Sequence, residues 1–282
     1  MDDGSTEDVK KCAKTPSRRV RYVRQENRGV SAARNLGVEM SAGRYVAFLD
    51  SDDLFAPRKL ERQVSFMERN PDLLLSHTSY AYIDSNGCFL DEVRSGTFSG
   101  RVYPRIIFAC PIATSTVMVR REAFSEGLKF DESVRAGEDV LMWSRVARIS
   151  KIAGIDEVLS LVRKHLGMAA FSPEAQLAGI DNVVRYYLRQ DKGSRLWDRR
   201  LMSSYYLFRA GVFYASGRLR EARLNGVYAL VRYPLNLPRF MLLLSSILPR
   251  RLLGVLRESG GAKYFTAVWE FIWPRTYNRS MR

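Results

Sequence analysis

Hydrophobic and polar positions along the first 165 residues change repeatedly between short apolar runs and helical spacing. Helical spacing predicts helices over 31–40, 59–70 and 137–149. Apolar and β-branched runs predict strands over 21–24, 45–50, 73–83, 114–119 and 152–162. We expect 73–83 to be a long strand or a strand pair, and 152–162 to be a strand pair. Because strands and helices alternate, the pattern predicts an α/β sheet.

Two of these helices carry apolar stripes. In the first, the stripe consists of Ala32, Ala33, Leu36 and Met40, and in the second it consists of Leu60, Val64 and Met67. Such a stripe normally faces the core.

From Pro173 onward the spacing is helical throughout. Residues 206–234 predict two short amphipathic helices around Gly217, at a spacing like that of tetratricopeptide repeats. One repeat cannot bury its own apolar face, so we expect a helical hairpin that packs on another part of the protein. A peptide-binding role is disfavoured, since such surfaces usually need about three repeats.

Three acids end the strand predicted over 45–50. Asp50 and Asp52 lie two apart in extended chain and project to the same side, at the carboxyl end where α/β sheets bind ligands. Two carboxylates held in this way suit Mg²⁺ or Mn²⁺ carrying a phosphorylated substrate. The alternative is an acidic turn in which Asp53 caps the helix after Pro57.

Charge is distributed unevenly along the 282 residues. The net charge is +15, and residues 191–282 hold 17 of the 45 basic residues but 5 of the 30 acidic ones. A basic segment points to nucleic acid or to an anionic membrane surface, and no nucleic-acid module is recognisable, so we expect no nucleic-acid partner. Residues 238–256 combine leucines with arginines, which predicts an interfacial membrane anchor or, alternatively, a helix packed on the hairpin.

The sequence has three cysteines with no pairing pattern, no signal-peptide pattern and no apolar run of about 18 residues. These features favour a cytoplasmic protein. We expect it to associate peripherally with the inner face of the membrane.

Three ordered stretches together resemble the inverting family-2 nucleotide-sugar glycosyltransferases, which have the GT-A fold. They are Asp2-Asp3-Gly4-Ser5-Thr6, the pair Asn27-Arg28-Gly29 and Ala33-Arg34-Asn35-Leu36-Gly37 leading into Asp50-Ser51-Asp52-Asp53, and Gly137-Glu138-Asp139 with Trp143 and Arg145. The resemblance implies a GT-A-like mixed sheet flanked by helices over residues 1–170. Residues 171–282 would form a basic helical extension.

The resemblance also implies residues that bind the donor. Asp3, with Asp2 beside it, is similar to the acid that hydrogen-bonds the nucleotide base. Arg34 would lie near the diphosphate, the alternative being an ion pair on the helix surface. Asp50 would contact the sugar or ribose.

Metal binding and catalysis are implied in the same way. Asp52 resembles the direct metal ligand. His165 lies where some relatives have a histidine near the metal or diphosphate, the favoured alternative being an ordinary loop residue. Asp139 resembles the general base that takes the proton from the acceptor hydroxyl, and its alternative role is a first-turn or N-cap acid. Residues 114–116 would line the acceptor side, unless their hydroxyls satisfy backbone groups.

The function implied is transfer of a single sugar, with inversion, from a nucleotide-diphosphate sugar to a saccharide or lipid-linked acceptor in cell-envelope or exopolysaccharide assembly. The alternative is a catalytically silent remnant that acts as a scaffold at a membrane or with a partner. Family members begin with a strand and helix before the first motif. We therefore expect the chain as given to lack a neighbour for the strand ending at Asp50, and to be weakly stable and weakly active unless a partner strand fills that gap.

Overall fold

The structure, a computed structural model, describes residues 1–9, 20–125, 127–164, 172–190 and 195–233. The helices are α1 (Val30–Met40), α2 (Lys59–Arg69), α3 (Glu122–Ser125), α4 (Glu138–Ile149), α5 (Pro173–Gln190), α6 (Arg195–Ala215) and α7 (Leu219–Arg232). The strands are β1 (Asp2–Asp3), β2 (Arg24–Gln25), β3 (Tyr45–Ala47), β4 (Leu54–Phe55), β5 (Leu75–Ile83), β6 (Phe89–Val93), β7 (Met118–Arg120) and β8 (Ile152–Arg163). His165 and the predicted anchor over 238–256 lie outside the described residues.

Two sheets organise the described residues. The larger has the strand order β3-β7-β5-β8-β4, and β6 pairs with β5 off this path. The pairs β3–β7, β5–β7 and β4–β8 are antiparallel. The smaller sheet is the parallel pair β1–β2. The predicted α/β architecture is therefore confirmed.

Of the two alternatives for 73–83, the structure has the long strand. The predicted helix over 137–149 is confirmed, and 152–162 is one strand rather than a pair. The strand over 45–50 is shorter than predicted and ends at Ala47. The strand over 114–119 is wrong in its first half, where Thr114–Thr116 is a turn of 3₁₀ helix. The amide of Thr116 donates to the carbonyl of Ala113 at 2.9 Å, which closes that turn.

The inner face of α2 differs from the predicted stripe. Met67 is fully buried as expected, but Leu60 is 48% exposed, and Lys59 and Gln63 lie inside instead. The side-chain amide nitrogen of Gln63 donates to the carbonyl oxygens of Ser76 and Thr116, each at 3.1 Å. Carbonyl groups buried at this position need donors, and an apolar side chain would leave them unsatisfied.

The apolar stripe of α1 is also only partly correct. Ala32 is buried, Ala33 and Leu36 are half-buried, and Met40 is 40% exposed at the last position of the helix. Ser31 and Val38 complete the buried positions of the helix.

The chain divides into two compact units. The first comprises Met1–Tyr80, Arg94–Tyr103 and Ile112–Val162. The second comprises Ala81–Val93, Pro104–Pro111 and the described part of Arg163–Arg282. The domain boundary near residue 170 stays a prediction.

Within the second unit, the predicted helical hairpin is confirmed. Helices α6 and α7 pack on each other, and the Ser203 hydroxyl of α6 donates to the carbonyl of Ala229 on α7. Gly217 between them has φ 77°, a conformation that favours glycine. Helix α6 has 21 residues and is much longer than the short helix predicted.

Segment 95–100 of the first unit runs against β8 with unusually close backbone contact. Gly100 and Ile152 exchange two backbone hydrogen bonds of 2.8 and 3.1 Å. A Cβ placed on Gly96 would overlap the carbonyl group of Ile155, and a Cβ on Gly154 would overlap the carbonyl of Gly96. We call this contact the glycine seam.

An aromatic cluster lies at the centre of the first unit. The rings of Phe48, Phe130 and Trp143 lie 5.5 to 5.6 Å apart, in edge-on or tilted arrangements. All three are buried, and they connect the segment after β3 with the loop before α4 and with α4 itself.

Strand β3 has β7 as its one partner among the described residues.

No helix in the described part of the chain is long and apolar enough to span a bilayer.

Candidate functional site

The acidic segment 50–53, which we call the acidic turn, follows β3 and is held by one serine. The amide of Asp50 donates to the Ser115 hydroxyl at 3.0 Å, and that hydroxyl donates to Asp53 Oδ2 at 2.6 Å. The amide of Asp53 closes the turn by donating to the carbonyl of Asp50 at 3.1 Å. The proposed capping role of Asp53 is wrong, because the N-cap position of α2 is Arg58.

Arg34 connects the acidic turn to the start of α4. Its guanidinium lies 2.9 Å from Asp50 Oδ1 and 3.2 Å from Glu138 Oε1. The side chain is only 12% exposed, so this is not the surface ion pair of the alternative interpretation. Burial by itself lowers the pKa of Arg34, but Asp50 and the other nearby acids raise it above its ordinary value. The arginine therefore remains charged between the two carboxylates.

The neighbouring Asn35 explains how α1 holds Arg34 in this place. The Asn35 amide nitrogen donates to the carbonyl of Phe130 at 2.9 Å, and its oxygen accepts the Phe130 amide at 2.9 Å. The guanidinium of Arg34 lies 5.5 Å from the centre of the Phe130 ring. Asn35 thus fixes the loop before α4, while the preceding Arg34 contacts Asp50 and Glu138.

Asp139 lies in the first turn of α4, as predicted from the sequence. Gly137 occupies the N-cap position and makes no side-chain cap, so Asp139 is a first-turn acid rather than the cap. It is half-buried, and burial, with a further contribution from Glu138, raises its pKa from 3.8 to about 6. A carboxylate with a pKa near neutrality can accept a proton and release it again.

The acids present are suited to a divalent cation only in combination with a phosphate ligand. Within the described residues, no group of three or more His, Cys, Asp or Glu side chains could hold a metal ion. Asp50 and the half-buried Asp52 supply at most two carboxylates. Mg²⁺ commonly takes one or two carboxylates and fills its shell with water and substrate phosphates, so this donor set fits a cation bound together with a diphosphate.

Asp2 and Asp3 have their carboxylates engaged by nearby groups. Asp2 accepts hydrogen bonds from the Tyr22 hydroxyl and, at 2.8 Å, from the Ser5 amide, which lower its pKa to about 2. Asp3 accepts the amides of Arg28 and Gly29 at 3.0 and 2.8 Å. Burial raises the pKa of Asp3, but these hydrogen bonds outweigh it and the net pKa is lowered. Their role in binding the base stays a prediction.

The structure joins Arg34 and Asp50 directly and places Asp139 beside Glu138, the second partner of Arg34. Sequence reasoning gave Glu138 no role of its own. It placed Ser115 on the acceptor side or, alternatively, against backbone groups, and in the structure the Ser115 hydroxyl does accept a backbone amide, that of Asp50. A role for Ser115 in the acidic turn was not predicted. The position of Glu138 next to a predicted base could have indicated that it belongs to the site. No spacing along the chain indicates that Ser115, 62 residues from Asp53, reaches the acidic turn.

Comparison with known proteins identifies the family that the first part of the chain matches. Residues 1–128 match the model for glycosyl transferase family 2. An uncharacterized glycosyltransferase of Rickettsia felis is 45% identical over 193 residues, which are 67% of this chain and 31% of that protein. The succinoglycan biosynthesis protein ExoU of Rhizobium meliloti is 31% identical over 170 residues, covering 51% of this chain and 46% of ExoU. The predicted resemblance is confirmed for residues 1–128.

Solved structures confirm the predicted GT-A-like fold. The mannosyltransferase PcManGT from Pyrobaculum calidifontis, solved in complex with GDP-Man and Mn²⁺, superposes with a TM-score of 0.51 and 14% identity. The match covers 95% of this chain and 73% of PcManGT. At this level of identity, the similarity shows the fold alone. The chain spans about a third of the length of its Rickettsia relative.

Proposed function

We propose that this chain, whose residues 1–128 match glycosyl transferase family 2, transfers a single sugar from a nucleotide-diphosphate sugar to a hydroxyl acceptor with inversion. The observation that carries the proposal is the bridge formed by Arg34. One guanidinium, on a side chain only 12% exposed, links the acidic turn to Glu138, which stands next to Asp139. The acidic turn is suited to a cation and diphosphate, and the pKa of Asp139 is raised.

Asp139 would act as the general base. The acceptor hydroxyl gives its proton to the carboxylate as its oxygen attacks the anomeric carbon, and the bond from that carbon to the phosphate breaks. A pKa of about 6 leaves Asp139 mostly ionised at neutral pH and still basic enough to take the proton. A single displacement of this kind inverts the anomeric configuration.

Asp50 and Asp52 would hold Mg²⁺ or Mn²⁺ with the diphosphate of the donor, and His165 is a further candidate ligand. The chemistry that the cation supplies is neutralisation of the charge that develops on the departing nucleoside diphosphate. Arg34 keeps Asp50 oriented and provides a second positive charge beside the leaving group. Asp2 and Asp3 would contact the base or would hold the loop that does.

The acceptor we propose is a saccharide or a lipid-linked sugar of the cell envelope or an exopolysaccharide. The similarity to ExoU, a succinoglycan biosynthesis protein, supports this class. The basic extension over 171–282 would bring the domain over 1–170 to the inner face of the membrane as a peripheral protein in the cytoplasm.

The test begins with a panel of nucleotide sugars, scored by thermal shift with and without Mn²⁺. A ligand that binds only the folded protein raises the melting temperature, and we expect one donor to do so only when Mn²⁺ is present. Asp52→Ala should abolish this metal-dependent shift. A shift of unchanged size in that variant would remove Asp52 from the proposed ligand set.

The second step measures transfer by Asp139→Asn. Loss of transfer with donor binding retained supports the assignment of the base. A matched control is Glu157→Gln, which alters an acid that is 50% exposed, 3.7 Å from Arg62. Near-normal transfer by Asp139→Asn would contradict the proposed mechanism.

A further inference from the structure

We propose that Ser115 is a positioning residue that sets the geometry of the acidic turn, and that its hydroxyl fixes the spacing at which Asp50 and Asp52 receive the cation and diphosphate. The inference rests on the proposed function for its consequence in binding. Its structural part can be tested independently.

The Ser115 hydroxyl is placed between the two ends of the acidic turn. It accepts the amide hydrogen of Asp50 at 3.0 Å and donates its own hydrogen to Asp53 Oδ2 at 2.6 Å. Ser115 is fully buried and Asp53 is 8% exposed, so solvent does not compete strongly for either bond. One oxygen atom therefore bonds to both the first and the last residue of the acidic turn, in addition to the backbone bond between those residues.

Ser115 can have this effect because its own backbone is held. The Ser160 hydroxyl of β8 donates to the Ser115 carbonyl at 2.8 Å. The side-chain amide of Gln63, on α2, donates to the next carbonyl, that of Thr116, at 3.1 Å. The short 3₁₀ turn over Thr114–Thr116 fixes the local conformation. The serine is thus anchored by polar groups from β8 and α2, two elements outside the acidic turn.

Removing the hydroxyl would take one donor from a buried carboxylate and one acceptor from a backbone amide. The acidic turn would then rearrange so that Asp53 and the Asp50 amide find other partners or water. Because Asp52 lies between these two residues, its carboxylate would move with them. Metal and diphosphate would bind to a site whose two carboxylates no longer have a fixed separation.

The chain offers a control that makes the same two kinds of hydrogen bond, although its carboxylate is more exposed than that of Asp53. Ser79, on β5, is also fully buried, and its hydroxyl donates to Asp156 Oδ1 at 2.9 Å while accepting the amide of Gly96 at 3.0 Å. Ser79→Ala therefore removes the same pair of interactions, a bond to a carboxylate and a bond from an amide, without altering the acidic turn.

The first measurement is amide hydrogen exchange in the ligand-free protein, compared among wild type, Ser115→Ala and Ser79→Ala. In Ser115→Ala we expect exchange at the amides of Asp50 and Asp53 to be about tenfold faster, since local opening governs it. In Ser79→Ala the faster exchange should appear at Gly96 instead. Unchanged exchange at Asp50 in Ser115→Ala, or equal acceleration there in both variants, would overturn the proposal.

The second measurement is Mn²⁺ titration in the presence of the nucleoside diphosphate that the wild type binds. Ser115→Ala should raise the half-saturating Mn²⁺ concentration about tenfold, which equals about 1.4 kcal/mol, and Ser79→Ala should leave it unchanged. Equal Mn²⁺ half-saturation in the two variants counts against a positioning role. If the wild type binds no nucleoside diphosphate with Mn²⁺, the proposed function fails, while the exchange result still decides the structural claim.

Two more variants keep the test decisive if Ser115→Ala folds poorly. Ser115→Thr keeps the hydroxyl and should restore slow exchange at Asp50, even if the added methyl group lowers overall stability. Asp53→Asn keeps a carbonyl oxygen but weakens the charge-assisted bond, so its exchange at Asp50 should be intermediate between wild type and Ser115→Ala. Fast exchange at Asp50 in Ser115→Thr would contradict the role of the hydroxyl.

Discussion

The substitution Asp139→Asn removes a titrating charge from the first turn of α4 and keeps the size of the side chain. In the wild type, Asp139 Oδ1 accepts the Val140 amide at 2.7 Å, and asparagine keeps an oxygen that can accept it. Burial is the main cause that raises the pKa of Asp139 from 3.8 to about 6, and the negative charge of Glu138 is the second cause. A difference of about two pKa units corresponds to about 3 kcal/mol, and because the side chain is half-buried we take about 2–3 kcal/mol.

The direction in which folding stability changes with pH follows from the raised pKa of Asp139 in the folded state. Well below pH 3.8, Asp139 is protonated in both the folded and the unfolded protein and has no electrostatic cost. As the pH rises from about 4 to about 6, the unfolded chain ionises more easily, so the wild type loses stability. Asparagine does not titrate. Asp139→Asn should therefore lie close to the wild type in stability at pH 4 and clearly exceed it at pH 8.

The assay is thermal unfolding of wild type, Asp139→Asn and the control Glu157→Gln at pH 4 and pH 8. At about 2–4 °C per kcal/mol, the melting temperature of Asp139→Asn at pH 8 should be about 4–12 °C above that of the wild type. Glu157→Gln changes a surface pair and should shift it little at either pH. A variant no more stable than wild type at pH 8, or a gain of equal size at both pH values, would refute the reasoning.

Four further predictions concern other parts of the chain. The transfer rate should rise through about pH 6, because Asp139 acts as a base only when ionised, and a flat pH profile from 5 to 8 would contradict this. Arg34→Lys should lower kcat about tenfold to a hundredfold, since an ammonium cannot bridge two carboxylates as a guanidinium does, and steady-state kinetics would reveal an unchanged rate if the bridge is dispensable. Burial lowers the pKa of Lys59 to about 7, so the wild type should gain stability between pH 7 and 10, and Lys59→Met should lack that gain in urea titrations at the two pH values. Deleting residues 239–282 should abolish flotation with anionic vesicles, and equal flotation of both forms would count against the anchor.

The sequence pattern predicts the helices and strands that carry the site, because Arg34, Asp50 and Asp139 lie in elements with clear periodicity or in recognisable motifs. Their chemistry is local, since an acid after a strand or in a first turn can be recognised from a few neighbours. The contact between Arg34 and Glu138 is different. It joins residues 104 apart, and no pattern along the chain specifies which of several acids an arginine meets.

The errors have a common physical cause. Hydrophobic periodicity assumes that apolar side chains face inward, but Lys59 and Gln63 occupy the inner face of α2 because the carbonyl groups opposite them need donors. The extended interpretation of 114–119 failed for a related reason. Thr116 uses its hydroxyl to bond the carbonyl of Ala113 at 2.6 Å, and such side-chain competition favours a turn over a strand.

The glycine seam limits how this sequence can vary. At Gly96 and Gly154 the atoms that a Cβ would meet belong to the backbone, so no rotamer change of a neighbour can make room. A substitution at either position must separate segment 95–100 from β8, and a second substitution at the other position cannot compensate, because it adds another atom to the same contact. In a saturation-mutagenesis library selected for folded protein, both positions should therefore retain glycine almost exclusively, and paired changes should be no better tolerated than single ones.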